Sequence, residues 1–247
     1  MNSLHQSGTV VLVHGAWADG SCWQEVLLPL RRQGLKVTCA PIPLTSLADD
    51  VAALQRVLER TTGPVVLAGH AYAGAVIGAA SEDRVKALVY IAALAPDQGE
   101  TVAEVFYRGD PHPDAPQLAP DAHGLIWMPE EGFRSAVAHK ISQDQATIIA
   151  ALQRPIALKC IQEKAPAPAW KTKPSWYLLA EEDRMISPQT QRFMAERMGA
   201  AIRSYQVDHT PMHTEPGVVV DVILEAVRET VWPTEVSAES VTSGLKH

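Results

Sequence analysis

The residues Gly69-His70-Ala71-Tyr72-Ala73-Gly74 follow an apolar run, Pro64 to Ala68, and lead into a stretch of small residues. Strand, sharp turn and helix in that order hold the central residue at the top of a sheet, and its neighbours two places away must be small so that strand and helix can approach. Gly69 and Ala73 meet that demand. The central position, where acyl transfer needs a hydroxyl, is Ala71. No oxygen there can attack a carbonyl, and by itself the pattern also fits ordinary small-residue packing beside a strand. Three further sites change its weight. His14-Gly15-Ala16-Trp17 closes the first apolar run, where the Ala16 N–H can form half of an oxyanion hole and the Tyr72 N–H the other half. Asp183 comes three residues past Ala180 at the end of a late apolar run, the place of a triad acid, while Glu181 and Glu182 read as solvated loop charges. His209 follows the last strand-like run, and acid then histidine after successive late strands is the order of a nucleophile-elbow enzyme.

The elements that must position these residues alternate. Thr9 to Val13, Lys36 to Ala40, Pro64 to Ala68, Val85 to Ile91, Ser175 to Ala180 and Ile202 to Val207 have the length and β-branching of strands. Between them, Trp23, Val26, Leu27 and Leu30 form a helical stripe closed by Gly34. A second helix starts at Ser46-Leu47-Ala48-Asp49, which has the form of a capping box, and runs to about Arg60, with Leu47, Val51, Leu54 and Leu58 on its buried face. Tyr72 to Ala80 predicts a small-residue helix. Ser187-Pro188 starts another, carried by Gln191 to Met198, and Val219, Val222, Ile223 and Ala226 mark the last. Such alternation requires crossover connections, hence an α/β protein with a mostly parallel sheet and helices on both faces. Ala95 to Pro174 carries no buried strand run and is too long for a bare loop, so it predicts an inserted helical cap with helices at Phe133 to His139 and Gln143 to Leu152. One domain is expected, with a core at 9–94 and 175–231, a cap at 95–174 and a polar tail at 232–247.

Composition bounds the function classes. The 247 residues are 47% hydrophobic and 20% charged, a globular balance with apolar residues enough for a large core. A net charge of -7 is the wrong sign for gripping phosphate backbones, so nucleic acid is not an expected partner. No apolar stretch is long enough to span a membrane and Met1 to Gly8 does not read as a signal peptide, which leads to a cytoplasmic expectation without membrane contact. Cys22, Cys39 and Cys160 form no C-x-x-C pair, so neither a disulfide framework nor a cysteine metal site is expected.

Through Val11-Leu12-Val13-His14-Gly15-Ala16-Trp17, the Gly69 to Gly74 elbow, and Asp208-His209 followed by Met212, the chain resembles the α/β-hydrolase superfamily from Thr9 to Val231. It is most similar to small bacterial members with this opening, and more distantly to plant methylesterases and hydroxynitrile lyases. The resemblance implies a Ser-His-Asp triad, no cofactor or metal, and a small-molecule substrate, here a small apolar ester or carbonyl compound. Asp183, His209, Ala16 and Tyr72 match the family pattern and Ala71 departs from it. Two readings of Ala71 stay open. It marks an esterase site silenced at its nucleophile, in an inactivated variant or a dead member that only binds ligand. Otherwise it is a natural departure, in which His209 and Asp183 serve as a general base for non-hydrolytic chemistry.

Remaining candidates lie around this centre. Trp17, Tyr107 and Trp127 are expected to line a substrate pocket under the cap, with Met128 and Trp170 as further possibilities. His70 is expected to pack or hydrogen-bond rather than to react. His213 has metal-like spacing from His209, but Pro211 between them predicts a loop. His112 and His123 read as surface residues.

Overall fold

The computed structural model describes residues 8–232; the tail expected beyond Trp232 lies outside the described residues. Strands β1 (Thr9–Val13), β2 (Lys36–Ala40), β3 (Val65–His70), β4 (Val85–Ile91), β7 (Ser175–Ala180) and β8 (Ala201–Tyr205) form one six-stranded parallel sheet, in the order β2-β1-β3-β4-β7-β8. Strands β5 (Leu125–Ile126) and β6 (Ile156–Ala157) pair as a small antiparallel ribbon in the insertion.

The apolar runs are continuous because the sheet is covered on both sides. Along β1, Val11 and Val13 enter one core layer while Val10 and Leu12 enter the other, and β3 divides in the same way into Val65 and Leu67 against Val66 and Ala68. Successive side chains of a strand point to opposite faces, so a strand buried on both faces has no polar alternation. Helices Leu47–Glu59, Ala73–Gly78 and Pro188–Arg197 contribute to the first layer, and Gln24–Arg32 and Pro216–Thr230 to the second. The strand order reverses direction between β1 and β3, and the crevice beyond the carboxyl ends of such neighbours is where ligands bind in open α/β sheets. Both glycine-bearing motifs sit there.

Local details depart from the sequence expectations. The Ser46 hydroxyl caps its helix by accepting from Asp49 N, but the Asp49 carboxylate accepts from Thr45 Oγ1 rather than closing a box. Pro211 does not hold a loop open; it occupies the first position of the short helix Pro211–Thr214, where its missing N–H costs nothing. The insertion holds several short helices together with a small ribbon. Phe133–Val137 is one π-helical turn, and the ribbon β5–β6 went unseen because two-residue strands carry no periodic signal. α-Helices stand at Val102–Phe106 and Gln143–Ala151, each with a complete capping box, and at Leu158–Gln162, with one further turn at Glu130–Gly132. No described helix is long and apolar enough to cross a membrane.

Candidate active site

Ala71 stands at the turn between β3 and helix Ala73–Gly78 with φ +50, the left-handed region that disfavours any residue with a Cβ. The turn is held from three sides. Ala71 N donates to Ile91 O at 3.3 Å, and Ala71 O accepts from Gly74 N at 3.1 Å and Leu94 N at 2.9 Å. The closeness of β4 explains Gly74, where a Cβ would stand 2.3 Å from Leu94 O. Gly15 is equally constrained, since a Cβ there would lie 3.0 Å from His70 O and 3.1 Å from the Ala71 methyl. The His14–Trp17 loop therefore lies directly against the turn. The Ala16 and Tyr72 amides find no acceptor among the described residues, and both residues line the cavity beside Ala71.

Asp183 and His209 come together as their strand ends dictate. The ladder between β7 and β8 continues past the sheet, with Glu181 N donating to Tyr205 O and Glu182 N to Val207 O, so the two loops run side by side. Asp183 Oδ2 lies 2.7 Å from His209 Nδ1, and both side chains are buried. Paired with that oxygen, Nδ1 is the ring's donor, which leaves Nε2 as the nitrogen away from Asp183, on the ring that lines the cavities with Ala71. Asp183 also accepts from Met185 N (2.7 Å), Ile186 N (2.9 Å) and Gln191 Nε2 (2.8 Å), which fixes its plane. The rival carboxylates turn away into ion pairs, Glu181 with Arg192 and Glu182 with Lys140.

Three residues to which the sequence analysis gave no role in the site hold this frame. Gln191, fully buried, accepts from Ala180 N and donates to Asp183 and to Ile186 O. A polar residue on the buried side of a helix was the available signal. Asp208 binds Thr210 N and Thr214 Oγ1 within the histidine loop and receives Lys140 N from the insertion. Asp50, fully buried, accepts the Tyr72 hydroxyl at 2.7 Å and Leu44 N at 2.7 Å, with Cys160 Sγ at 3.7 Å. Burial raises the Asp50 pKa above the ordinary carboxylate range against these stabilising bonds, and burial pushes the Cys160 thiol up to about 12.

His70 hydrogen-bonds as expected. Its Nε2 lies 2.7 Å from His209 O and must donate, which leaves Nδ1 an acceptor with no partner among the described residues; burial holds the ring neutral, its pKa well below the ordinary histidine value. Its ring stands 4.7 Å from that of His209 and braces it. Among the described residues no group of three His, Cys, Asp or Glu is arranged to hold a metal ion, and His213 packs on the short helix with burial keeping it neutral.

Two cavities open from this centre and share Ala16, Trp17, Ala71 and His209. The larger, about 320 Å³, runs beneath the insertion between Val102, Phe106, Leu118, Ile126 and Ile156. The smaller, about 60 Å³, passes Asp19, Ser21, Phe133, Val137, Thr210 and His213. Trp17 sits on both, its ring N–H donating to Ile126 O and its backbone N–H to Arg154 O, so the insertion pins it. Tyr107 lines the larger cavity although it is 61% exposed, which puts it at the mouth. Trp127 is a correction. It lines neither cavity, is 48% exposed, and spends its indole N–H on Asp121, because the ribbon's alternation turns its neighbour Ile126 inward instead. Met128 belongs to the insertion's own core with Phe133 and Ala136, and Trp170 packs in the main core beside Arg197.

Comparison with known proteins agrees with this architecture. An α/β hydrolase of Aspergillus novofumigatus is 24% identical over 248 residues, covering 90% of this chain and 97% of its own. Polyneuridine aldehyde esterase superposes with a TM-score of 0.79 at 20% identity, covering 89% of this chain and 99% of its own. A methylesterase from Arabidopsis does so with a TM-score of 0.73 at 20% identity, covering 90% and 99%. The model of the alpha/beta hydrolase family matches residues 10–222, a span that takes in the His14 loop, the Ala71 turn, Asp183 and His209, and the chain belongs to that family.

Proposed function

We propose that the protein is an enzyme that cleaves a small, apolar ester or related carbonyl compound with His209 as a general base acting directly, without a covalent intermediate at position 71. The observation that carries this reading is the intact buried His209–Asp183 pair facing a turn that keeps its left-handed backbone while lacking an oxygen. Backbone strain of this kind costs on the order of 1–3 kcal/mol and persists only where its surroundings hold it. In the proposed step a water gives a proton to His209 Nε2 as its oxygen bonds to the substrate carbonyl carbon. The resulting oxyanion is held by the Ala16 and Tyr72 amides. Collapse then breaks the bond to the alkoxy group, which takes the proton back from the imidazolium, so acid and alcohol are released and the base is regenerated. Asp183 keeps the ring in the tautomer that has Nε2 free. The apolar larger cavity suits the substrate body, and the names of the esterases to which the chain is similar favour an ester.

The test uses short aryl esters with three proteins. The chain itself should hydrolyse them without forming a covalent adduct, and His209→Ala should lower kcat by about 10²–10⁴. Ala71→Ser supplies the missing atom of an acyl-transfer site, so it should add a pre-steady-state burst and become labelled by an organophosphonate at the new hydroxyl. Turnover that is unaffected by His209→Ala would overturn the proposal.

A further inference from the structure

The two cavities part at the reacting centre and differ in charge. The larger holds no ionisable side chain along its length beyond Tyr72 and Tyr107 and the shared His209. In the smaller, Asp19 is the one carboxylate, and no lysine or arginine is among its lining residues. A carbonyl carbon placed between His209 and the Ala16 amide has its two substituents in two different cavities. We propose that the smaller cavity is a second substrate arm site, one that takes a short arm ending in a positively charged amine while the larger cavity takes a longer apolar arm. The inference rests on the carbonyl reading of the site and adds to it the class of substrate: an unequal two-armed ester or ketone, apolar at one end and cationic at the other.

The physical basis is the Asp19 carboxylate and its surroundings. Ser21 N donates to Oδ1 at 2.8 Å and Ser21 Oγ at 2.6 Å. The Ser21 side-chain bond is the largest influence holding the Asp19 carboxyl below its ordinary range, with a smaller contribution from Arg154, so Asp19 is ionised near neutrality. Two of the three histidines that face the cavity, His70 and His213, do not offset this charge, because burial lowers their pKa and holds them neutral; the third, His209, is hydrogen-bonded to Asp183. Phe133, Val137 and Leu152 supply apolar wall for the arm's stem. An anion entering here meets like charge, and a cation meets the Asp19 carboxylate, whose field Arg154 offsets in part from outside the cavity lining.

The probes are ketones, which report binding without needing turnover. Each carries a phenylhexyl arm, and its second arm is a butyl chain ending in trimethylammonium, methyl or carboxylate. Titration calorimetry on the full chain at pH 7.5 should rank the ammonium ketone about tenfold tighter than the carboxylate ketone. Asp19→Asn keeps an oxygen for Ser21 and removes the charge, so it should erase that gap and leave the methyl ketone's Kd unchanged. Ser21→Trp, which narrows the smaller cavity, should weaken all three while leaving phenylhexyl methyl ketone unaffected. Binding of all three ketones with no charge preference, or a preference that survives Asp19→Asn, would overturn the arm site and leave the carbonyl reading standing. Failure of every ketone to bind would overturn both.

Discussion

Asp183→Asn removes one charge and keeps the shape, and the consequences follow from four hydrogen bonds. Oδ1 accepts from Met185 N and Ile186 N; Oδ2 accepts from Gln191 Nε2 and His209 Nδ1. Every partner is a donor as the site stands. An asparagine amide has one acceptor oxygen and one NH2, so whichever way it is turned, its NH2 faces two donors in a place that water does not reach. An unsatisfied buried donor costs about 1–3 kcal/mol. His209 can relieve its share by moving its proton to Nε2, which leaves one to two donors without partners and a net loss of about 2–4 kcal/mol. In a domain of this size that is a drop in Tm of roughly 5–15 °C. The tautomer change costs more in function than in stability, because Nε2–H cannot accept a proton and the base is lost. Urea denaturation followed by tryptophan fluorescence measures the first effect. Nitrogen-15 spectra of labelled histidine measure the second, as transfer of the His209 proton from Nδ1 to Nε2, and need no substrate. An unchanged urea midpoint together with an unchanged Nδ1–H signal would refute the reasoning.

Two further predictions concern stability. His14, His70 and His213 are held neutral by burial, so their folded pKa values lie below the unfolded one. The unfolded chain therefore binds more protons as pH falls through about 6.5, and the folded state loses stability there, while above that pH these groups contribute no slope. For His70, whose folded pKa is well below 6.5, the loss at pH 5.5 is about 1 kcal/mol. The urea midpoint should thus fall between pH 7.5 and 5.5, and His70→Phe should flatten the fall; a steeper fall in the variant would contradict the assignment. Tyr72→Phe deletes the hydroxyl that reaches buried Asp50 and leaves Oδ2 with only the long Cys160 contact, which should cost about 1–3 kcal/mol in urea titration. A neutral result there would mean that Asp50 finds another donor on relaxation.

Much of the fold was legible because its signals are local. A strand buried on both faces is apolar along its middle, and β1, β3, β4 and β7 are, with polar residues only at or next to their ends (Thr9, His70, Lys86, Ser175), so their places in the chain could be read directly. The turn at Ala71 was legible for a related reason, since close approach of β3, β4 and the following helix admits only small residues at Gly69, Ala73 and Gly74. Asp183 and His209 were found from their places just past strand ends, which a parallel sheet brings to one edge.

What only the tertiary structure decided is which side chains meet across long sequence separations. Asp50 and Tyr72 lie on different helices' ends, and their pairing across the core leaves no periodic trace in either segment. Gln191 looks like any helix residue until the fold sets it behind Asp183. Trp127 and Tyr107 were equivalent as aromatic residues of an irregular insertion, and it took the pairing of Leu125–Ile126 with Ile156–Ala157 to turn Trp127 outward while Tyr107 stayed at a cavity mouth. The division of the site into two cavities is of the same kind. Trp17 lies between them because Ile126 and Arg154, more than a hundred residues away along the chain, supply the carbonyls that hold it. Periodicity and residue size report on what a segment does to its own neighbours; the shape of a cavity is set by contacts between segments that no local pattern encodes.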